Sequence, residues 1–264
     1  MRRIARLFAE PGKKLIPFIT AGFPALESTK DIVLAAERAG ADMIEIGMPF
    51  SDPLADGPVI QEASQIALNN GITMKKIIRQ VESIRDESSI PLVLMGYINP
   101  LMRYGLDNFL RDVESAGVDG LILPDLPPEE GTVIYEQIKS HNLSPVLLVA
   151  PNTTNSRIQT IGNTAEDLIY AVSILGVTGT AVNANKKLRE YLSRIRANTD
   201  VPFVVGFGIS SSQDVAAIAP QADGVVVGSA LLRAVQDAED PVNATHSFIV
   251  DLKTGIPKEK NAVV

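Results

Sequence analysis

The sequence predicts an α/β protein, a (β/α)8 TIM barrel with an extra helix at the N-terminus and another after the second strand. Eight short apolar segments recur along the chain, segments with helical spacing separate them, and 264 residues suffice for one such barrel. We find no linker and no second compositional region, so we expect a single catalytic domain over residues 1–264. An open doubly wound sheet is the alternative that the same alternation allows.

The eight predicted strands are nearly all-apolar, which is typical of parallel strands covered on both faces. A helical segment follows each of them, and this repetition favours a closed barrel over an open sheet. The strands are Leu15–Thr20, Asp42–Gly47, Pro91–Tyr97, Gly117–Pro124, Pro145–Ala150, Leu168–Ser173, Pro202–Phe207 and Gly224–Gly228.

The segments between the strands carry helix signals. Over 106–113, apolar residues recur at i, i+3, i+4 and i+7 and form one stripe on a helix. Ser211 and Asp214 have the spacing of a capping box that opens another helix. The extra helices are predicted in Met1–Ala9, ahead of the first strand, and in Val59–Arg85, which is long enough for two helices.

Composition excludes several classes of partner and site. Acidic and basic residues are interspersed, with a net charge of -7 and no basic stripe, so nucleic acid is not an expected partner. The sequence has no cysteine, which excludes disulfides, zinc–thiolate sites and thiol nucleophiles. No apolar run follows the basic start Met1–Arg6, and no stretch reaches the ~20 apolar residues of a membrane span. We expect a cytoplasmic protein without a membrane partner.

Two carboxylates lie where a barrel places its chemistry, at the carboxyl ends of strands. Glu45 lies inside the second predicted strand, and a carboxylate that points into a barrel is costly unless it is paired or used. Burial there would raise its pKa toward neutral pH and suit it to proton transfer. Asp56 follows in the next loop. The structural alternatives are a hydrogen-bonded strand carboxylate for Glu45 and a turn residue for Asp56, since Asp-Gly is a turn dipeptide.

Glycines at the ends of the last two predicted strands indicate phosphate binding. Gly206–Ser210 closes the seventh strand and Gly228–Ala230 closes the eighth, and each leads into a helix. Glycine admits an anion close to the backbone, and N–H groups at the helix start then point at it. Glycine also simply ends many strands, but two glycine sites at these two loops match the frequent phosphate site of α/β barrels.

Two catalytic chemistries are disfavoured, a Schiff base on a lysine and a reaction on a metal ion. The lysines fall in predicted helices or loops, whereas a Schiff base needs a desolvated lysine at a strand end. The two histidines, His141 and His246, are not spaced with carboxylates as metal ligands, so we expect no metal site. Acid–base chemistry by carboxylates on a phosphorylated substrate remains.

Nine motifs, in order along nearly the whole barrel, resemble the alpha subunits of tryptophan synthase, and the ten-residue run from Pro49 is highly specific. The motifs are Pro17–Gly22, Glu45–Gly47, Pro49–Pro58, Tyr97–Pro100, Pro124–Pro127, Val149–Pro151, Gly176–Gly179, Gly206–Ser210 and Gly228–Ala230.

The resemblance implies a lyase that cleaves indole-3-glycerol phosphate by a retro-aldol reaction, with Glu45 and Asp56 as catalytic residues. The other site residues that it implies fall into a substrate-binding and a phosphate-binding group. The substrate-binding residues are Phe18, Leu123, Tyr170, Thr178 and Phe207, and the phosphate-binding residues are Gly179, Gly208, Gly228 and Ser229.

The resemblance also implies an α2β2 complex with a beta subunit that carries pyridoxal phosphate and receives the indole, and no cofactor on this chain. The composition of Gly176–Lys187 predicts a loop that is mobile over an empty site, with Thr178 bonding to Asp56 on closure.

We expect Pro53–Gly57 and Ile98–Tyr104 to border the beta subunit. Two alternatives remain open: another phosphosugar barrel enzyme such as an isomerase, and a non-catalytic activating subunit.

Overall fold

The computed structural model describes residues 1–172, 181–206 and 208–257, with only the backbone for 181–185. In these residues eight parallel strands close into a barrel in the order of the chain, and the predicted fold class is confirmed. The strands are β1 Lys14–Thr20, β2 Ile44–Gly47, β3 Leu92–Met95, β4 Gly120–Ile122, β5 Ser144–Val149, β6 Ile169–Val172, β7 Phe203–Gly206 and β8 Gly224–Val227.

Helices surround the strands, and both predicted insertions are present. The described residues form α1 Arg3–Ala9, α2 Ser28–Arg38, α3 Pro58–Asn69, α4 Met74–Arg85, α5 Ile98–Tyr104, α6 Leu106–Ala116, α7 Pro128–Ser140, α8 Asn155–Ala165, α9 Ala181–Arg196, α10 Ser212–Ile218, α11 Ser229–Gln236 and α12 Pro241–Lys253. The capping box of Ser211 and Asp214 is present at the start of α10. None of the described helices is both long and apolar enough to cross a membrane.

Two further helices were not foreseen from the sequence. A short helix, α5, follows β3, and Gly105 separates it from α6 by adopting a φ of 92°, a conformation that favours glycine. After β8 the chain forms α11 and then α12, which begins at Pro241 behind the N-cap Asp240. Gly105 and Pro241 are local signals for these two breaks, but the apolar pattern alone presents each region as one helical segment.

Several predicted strand ends need correction. Gly117 does not begin β4 but ends α6, because its φ of 90° suits a left-handed helix cap. Tyr97 does not belong to β3 but caps the N-terminus of α5. β1 starts at Lys14, one residue earlier than predicted. At this amino end of the barrel, the Lys14 Nζ donates a hydrogen bond to the Pro11 carbonyl at 2.9 Å.

The amino end of the barrel is closed and polar interactions hold it together. The fully buried Ile4 of α1 reaches Gly120, where an added Cβ would lie 3.0 Å from the Ile4 side chain. Four aspartates stand just before the even-numbered strands. Each accepts a hydrogen bond of 2.6 to 2.9 Å from the start of the preceding odd-numbered strand and pairs with a lysine or arginine: Asp42, Asp119, Asp167 and Asp223.

Candidate active site

Glu45 lies in the middle of β2, and barrel closure buries it completely. Its backbone pairs with Phe18 of β1 and Val93 of β3. The side chain has no exposed surface, and neither carboxyl oxygen has a hydrogen-bond partner among the residues described. Desolvation raises the pKa of Glu45 to about 8, so the group is mostly protonated near neutral pH. An acid with this pKa can donate a proton there and accept it back.

Tyr170 of β6 shares the barrel interior with Glu45. Burial and the negative charge of Glu45 both raise the pKa of the Tyr170 hydroxyl, which therefore stays protonated. The Tyr170 ring lies across Gly206 of β7, where an added Cβ would collide with the hydroxyl oxygen. The bare glycine thus makes the space in which this ring sits.

Asp56 is half-buried in the loop between β2 and α3. Its backbone carbonyl accepts a hydrogen bond from Gln61 Nε2 at 2.7 Å, and the adjacent Ala55 N–H donates to the hydroxyl of Tyr97 at 3.0 Å. Burial raises the pKa of Asp56, and a hydrogen bond with the Tyr97 hydroxyl partly offsets this.

A pocket at the carboxyl end of the barrel brings the β2 loop and the following βα segments together. Asp56 lines it with Phe18 and with the two residues Gly96 and Tyr97. Pro124 also lines this pocket, whereas its neighbour Leu123 is buried and lines a second pocket beside Arg157. Phe18 packs closely on Gly47, where an added Cβ would lie 2.5 Å from the ring.

The other side of Phe18 faces the predicted phosphate site. A Cβ on Gly228 would lie 3.5 Å from Phe18 Cβ, so this ring stands between Gly47 and the start of α11. Gly228 is the N-cap of α11 and Ser229 is its first residue, and no side chain caps the first-turn N–H groups. Such free N–H groups favour an anion. Gly208 is exposed and has a φ of 64°, a backbone that favours glycine.

The structure thus brings six of the predicted residues to one end and interior of the barrel. They are Glu45, Asp56, Phe18, Tyr170, Gly228 and Ser229. Thr178, Gly179 and Phe207 lie outside the described residues, as does the first part, 176–180, of the predicted mobile loop Gly176–Lys187. The rest of that segment is not a loop, because residues 181–187 form the start of α9. In the part of the chain that the structure describes, no three His, Asp or Glu side chains are grouped to hold a metal ion.

Tyr97 and Pro124 are two of the site residues that the sequence did not single out. Both belong to longer motifs, and both fall inside predicted strands. The available signal was position, since each follows directly on an apolar strand at the end of the barrel where loops build the site. Their proximity to Asp56 depends on loops that are more than 40 residues apart in the chain.

Comparison with known proteins agrees with this geometry. The chain matches the family model of the tryptophan synthase alpha chain over residues 4–258. The tryptophan synthase alpha chain of Petrotoga mobilis is 45% identical over 91% of this chain and 93% of its own. That of Geotalea uraniireducens is 42% identical over 97% of this chain and 98% of its own.

Solved structures show the same likeness over the whole barrel. A crystal structure of tryptophan synthase subunit alpha from Legionella pneumophila superposes with a TM-score of 0.90 at 35% identity, covering 97% of this chain and 98% of the other. A chain of the tryptophan synthase complex from Pyrococcus furiosus superposes with a TM-score of 0.85 at 34% identity, covering 92% and 98%.

Proposed function

Because the chain belongs to the tryptophan synthase alpha chain family, it is a lyase of tryptophan biosynthesis that cleaves indole-3-glycerol phosphate, and we propose that Glu45 and Asp56 carry the reaction. The products are indole and glyceraldehyde 3-phosphate. This chain needs no cofactor, and pyridoxal phosphate belongs to the partner beta subunit. The observation that carries the assignment is the carboxyl group of Glu45, which is wholly buried, unpartnered among the described residues and protonated near neutral pH.

The reaction starts with a proton from Glu45. The carboxylic acid protonates C3 of the indole ring, and the ring becomes an iminium-like electron sink for the adjacent carbon–carbon bond. As that bond breaks, the glycerol hydroxyl becomes the aldehyde and releases its proton to the carboxylate left on Glu45. Glu45 gives one proton to the indole ring and takes one from the glycerol hydroxyl, so the enzyme ends in its starting protonation state.

Asp56 acts on the other side of the ring. When ionised, its carboxylate accepts a hydrogen bond from the indole N–H and stabilises the positive charge that develops on the ring. Its position in the lining of the pocket, together with Phe18 and Gly47, supports this role. The two carboxyl groups therefore have different roles. Glu45 is a neutral acid in the barrel interior, and Asp56 is a charged hydrogen-bond acceptor in the loop.

The phosphate group anchors the substrate at the far side of Phe18. Gly228 and Ser229 supply N–H groups at the uncapped start of α11, and we assign Gly208 and Gly179 to the same subsite. Leu123, Thr178 and Phe207 complete the substrate site that the family resemblance implies. A fixed phosphate orients the glycerol chain at a distance from the bond that breaks.

An assay on the purified chain tests the function. We expect indole and glyceraldehyde 3-phosphate to appear in equal amounts from indole-3-glycerol phosphate, slowly for the chain alone and faster with a beta subunit. An isomerase would consume a phosphosugar without releasing indole. A non-catalytic activating subunit would stimulate the beta subunit yet release no indole by itself, and either outcome would overturn the assignment.

Exposed apolar side chains indicate where the beta subunit docks. Leu54 is 86% exposed, Met102 56% and Val133 72%, and they lie in the segments that follow β2, β3 and β4. Leu54 lies in the loop after β2, Met102 in α5 and Val133 in α7, and large exposed apolar side chains on neighbouring segments are typical of an interaction face. We propose that this face, with Pro53–Gly57 and Ile98–Tyr104, borders the beta subunit in an α2β2 complex.

Hydrogen exchange locates this face. Adding a beta subunit should slow exchange in Pro53–Gly57 and Ile98–Tyr104 but leave α1 and the amino end of the barrel unchanged. Protection confined to the amino end would contradict the docking proposal. The same samples, with and without a phosphate ligand, test whether protection of Gly176–Lys187 depends on site occupancy.

Domain organisation and location follow from the same assignment. We propose that residues 1–264 form one catalytic domain, since α12 packs on α2 and α11 near the two ends of the barrel sequence. We propose a cytoplasmic location, because a charged phosphate ester does not cross an apolar bilayer unaided. Limited proteolysis that released a stable half of the chain would contradict the single domain.

A further inference from the structure

We propose that Tyr97 is a positioning residue that holds the catalytic loop of Asp56 through its hydroxyl group. The proposal rests on the function proposed above and extends it to a residue with no role in the proton transfers. Tyr97 is 4% exposed, and its hydroxyl accepts the Ala55 N–H at 3.0 Å. The contact joins the loop after β2 to the segment after β3, one residue away from Asp56.

The loop has few other attachments on this side. Leu54 and Ala55 are exposed, and a Cβ added at Gly57 would meet nothing within 4 Å. Gln61 donates to the Asp56 carbonyl, which anchors the backbone but does not hold the carboxylate. A half-buried carboxylate on such a loop needs an external support to stay within reach of one ring nitrogen.

Tyr97 itself is firmly placed. Its ring packs against Phe50 with centroids 5.5 Å apart. The next residue, Ile98, donates its N–H to both carboxylate oxygens of Asp125 at 3.1 and 3.2 Å, which fixes the start of α5. Loops after β2, β3 and β4 are thereby linked in a row. Tyr97 contacts the loop after β2 twice, through its ring at Phe50 and through its hydroxyl at Ala55, and the hydroxyl contact is the one next to Asp56.

The hydroxyl also acts on the charge of Asp56. A hydrogen bond from Tyr97 lowers the pKa of that carboxyl against the effect of burial, and the charge of Asp56 in turn raises the pKa of Tyr97. Among the described residues, these two groups are the titratable pair that face each other here. Tyr97 therefore helps to keep Asp56 ionised in a site that desolvates it.

The test is Tyr97→Phe in the isolated full chain, with Tyr191→Phe as the matched control. Tyr191 is also buried and its hydroxyl donates to the Val149 carbonyl at 2.6 Å, but it lies on α9 away from the Asp56 loop. Both variants keep the ring and lose one hydroxyl. The measurements are kcat and KM for indole-3-glycerol phosphate, the pH profile of kcat and thermal unfolding.

We expect Tyr97→Phe to lower kcat by about 10- to 100-fold, the range for a misplaced reactive group, with a smaller change in KM. The acid limb of its pH profile should move to higher pH, because Asp56 loses a hydrogen bond that favours its charged form. Tyr191→Phe should lower thermal stability and leave both kcat and the acid limb unchanged. Wild-type kcat in Tyr97→Phe, or a loss of kcat with an unmoved acid limb, would overturn the proposal. An inactive wild-type chain would instead count against the proposed function.

Discussion

Asp119, just before the fourth strand, and Glu45, within the second, are both buried carboxylates of the same barrel, yet their surroundings are opposite. Asp119 accepts the Leu92 N–H at 2.8 Å and pairs with Arg85 at 2.7 Å and Arg3 at 2.9 Å. Glu45 has no partner among the described residues, and burial alone raises its pKa to about 8. The other three aspartates of the amino end are paired as Asp119 is.

The difference shows that one buried carboxylate of the barrel serves stability and the other serves chemistry. A buried carboxylate with cations and N–H donors around it ties the strands and helices together, and removing it leaves charges without partners. A buried carboxyl without partners destabilises the fold, but it stays free to exchange a proton with a ligand. The amino end therefore serves the fold and the carboxyl half serves the reaction, as expected for α/β barrels.

The largest effect should come from Glu45→Gln. The amide keeps the shape of the side chain but cannot donate and recover a proton, so indole formation should fall by about 10²-fold or more. Binding of indole-propanol phosphate, measured by calorimetry, should change little. A variant that retains a tenth of normal indole production would show that Glu45 is not the proton donor. The contrast between Glu45 and Asp119 would then have no catalytic meaning.

The same substitution should stabilise the protein at high pH. Folding raises the pKa of Glu45 from 4.5 to about 8, so this group costs no stability below pH about 4.5. From there to pH about 8 stability decreases, because Glu45 ionises in the unfolded chain while the buried group stays protonated, and above pH about 8 the loss is complete. At pH 8 and above, Glu45→Gln should gain roughly 3–5 kcal/mol in the free energy of unfolding, and little at pH 4. Urea unfolding of both proteins across this pH range measures the difference. Parallel curves would mean that Glu45 has a partner in solution.

Asp119→Ala should show the reverse behaviour. It leaves Arg85 and Arg3 without their shared carboxylate and should cost roughly 2–4 kcal/mol in the free energy of unfolding. The turnover of the folded fraction should stay within a factor of about two of wild type, since the site lies at the other end. Glu136→Ala, which breaks an exposed pair with Lys139, is the control and should cost less than ~1 kcal/mol.

The smallest effect should come from Ser229→Ala. Its hydroxyl stands at the uncapped start of α11, so its loss should weaken phosphorylated ligands by about 2- to 10-fold and leave stability nearly unchanged. Calorimetry with indole-propanol phosphate and with the unphosphorylated alcohol separates the two effects. Equal weakening of both ligands would place the phosphate elsewhere. Gly208 is a poorer probe, because any side chain at its φ of 64° strains the backbone.

The sequence accounted for most of the fold because the signals are local. The closed barrel, the extra helix at the N-terminus and the pair of helices after β2 were all predicted and are confirmed. The errors occur where a single residue with positive φ decides. Gly117 ends α6 just before β4, and Gly105 ends α5 and begins α6 within a continuous apolar pattern. Periodicity detects helices of three turns well and breaks between them poorly.

For the site, the sequence placed Glu45 within a strand and Asp56 in the following loop, and the structure brings both to the carboxyl half of the barrel. The contact of Tyr97 with the Asp56 loop could not be predicted, because its partner Ala55 lies 42 residues away in another loop. The sequence predicted that Gly228 and Ser229 open a helix, but it did not show that no side chain caps this helix start, since that depends on which side chains reach the helix end.

By itself, then, the sequence determined the class of the fold, the order of its elements and the two carboxylates, because strand and helix periods repeat within a few residues. Only the tertiary structure decided which carboxylates are paired. Lys253 reaches Asp42 across 211 residues and Arg2 reaches Asp167 across 165, contacts that exist only once the barrel closes. The same closure surrounds Glu45 with apolar neighbours and leaves its oxygens unbound. Burial and pairing are properties of the closed barrel, and they give two chemically similar side chains opposite tasks.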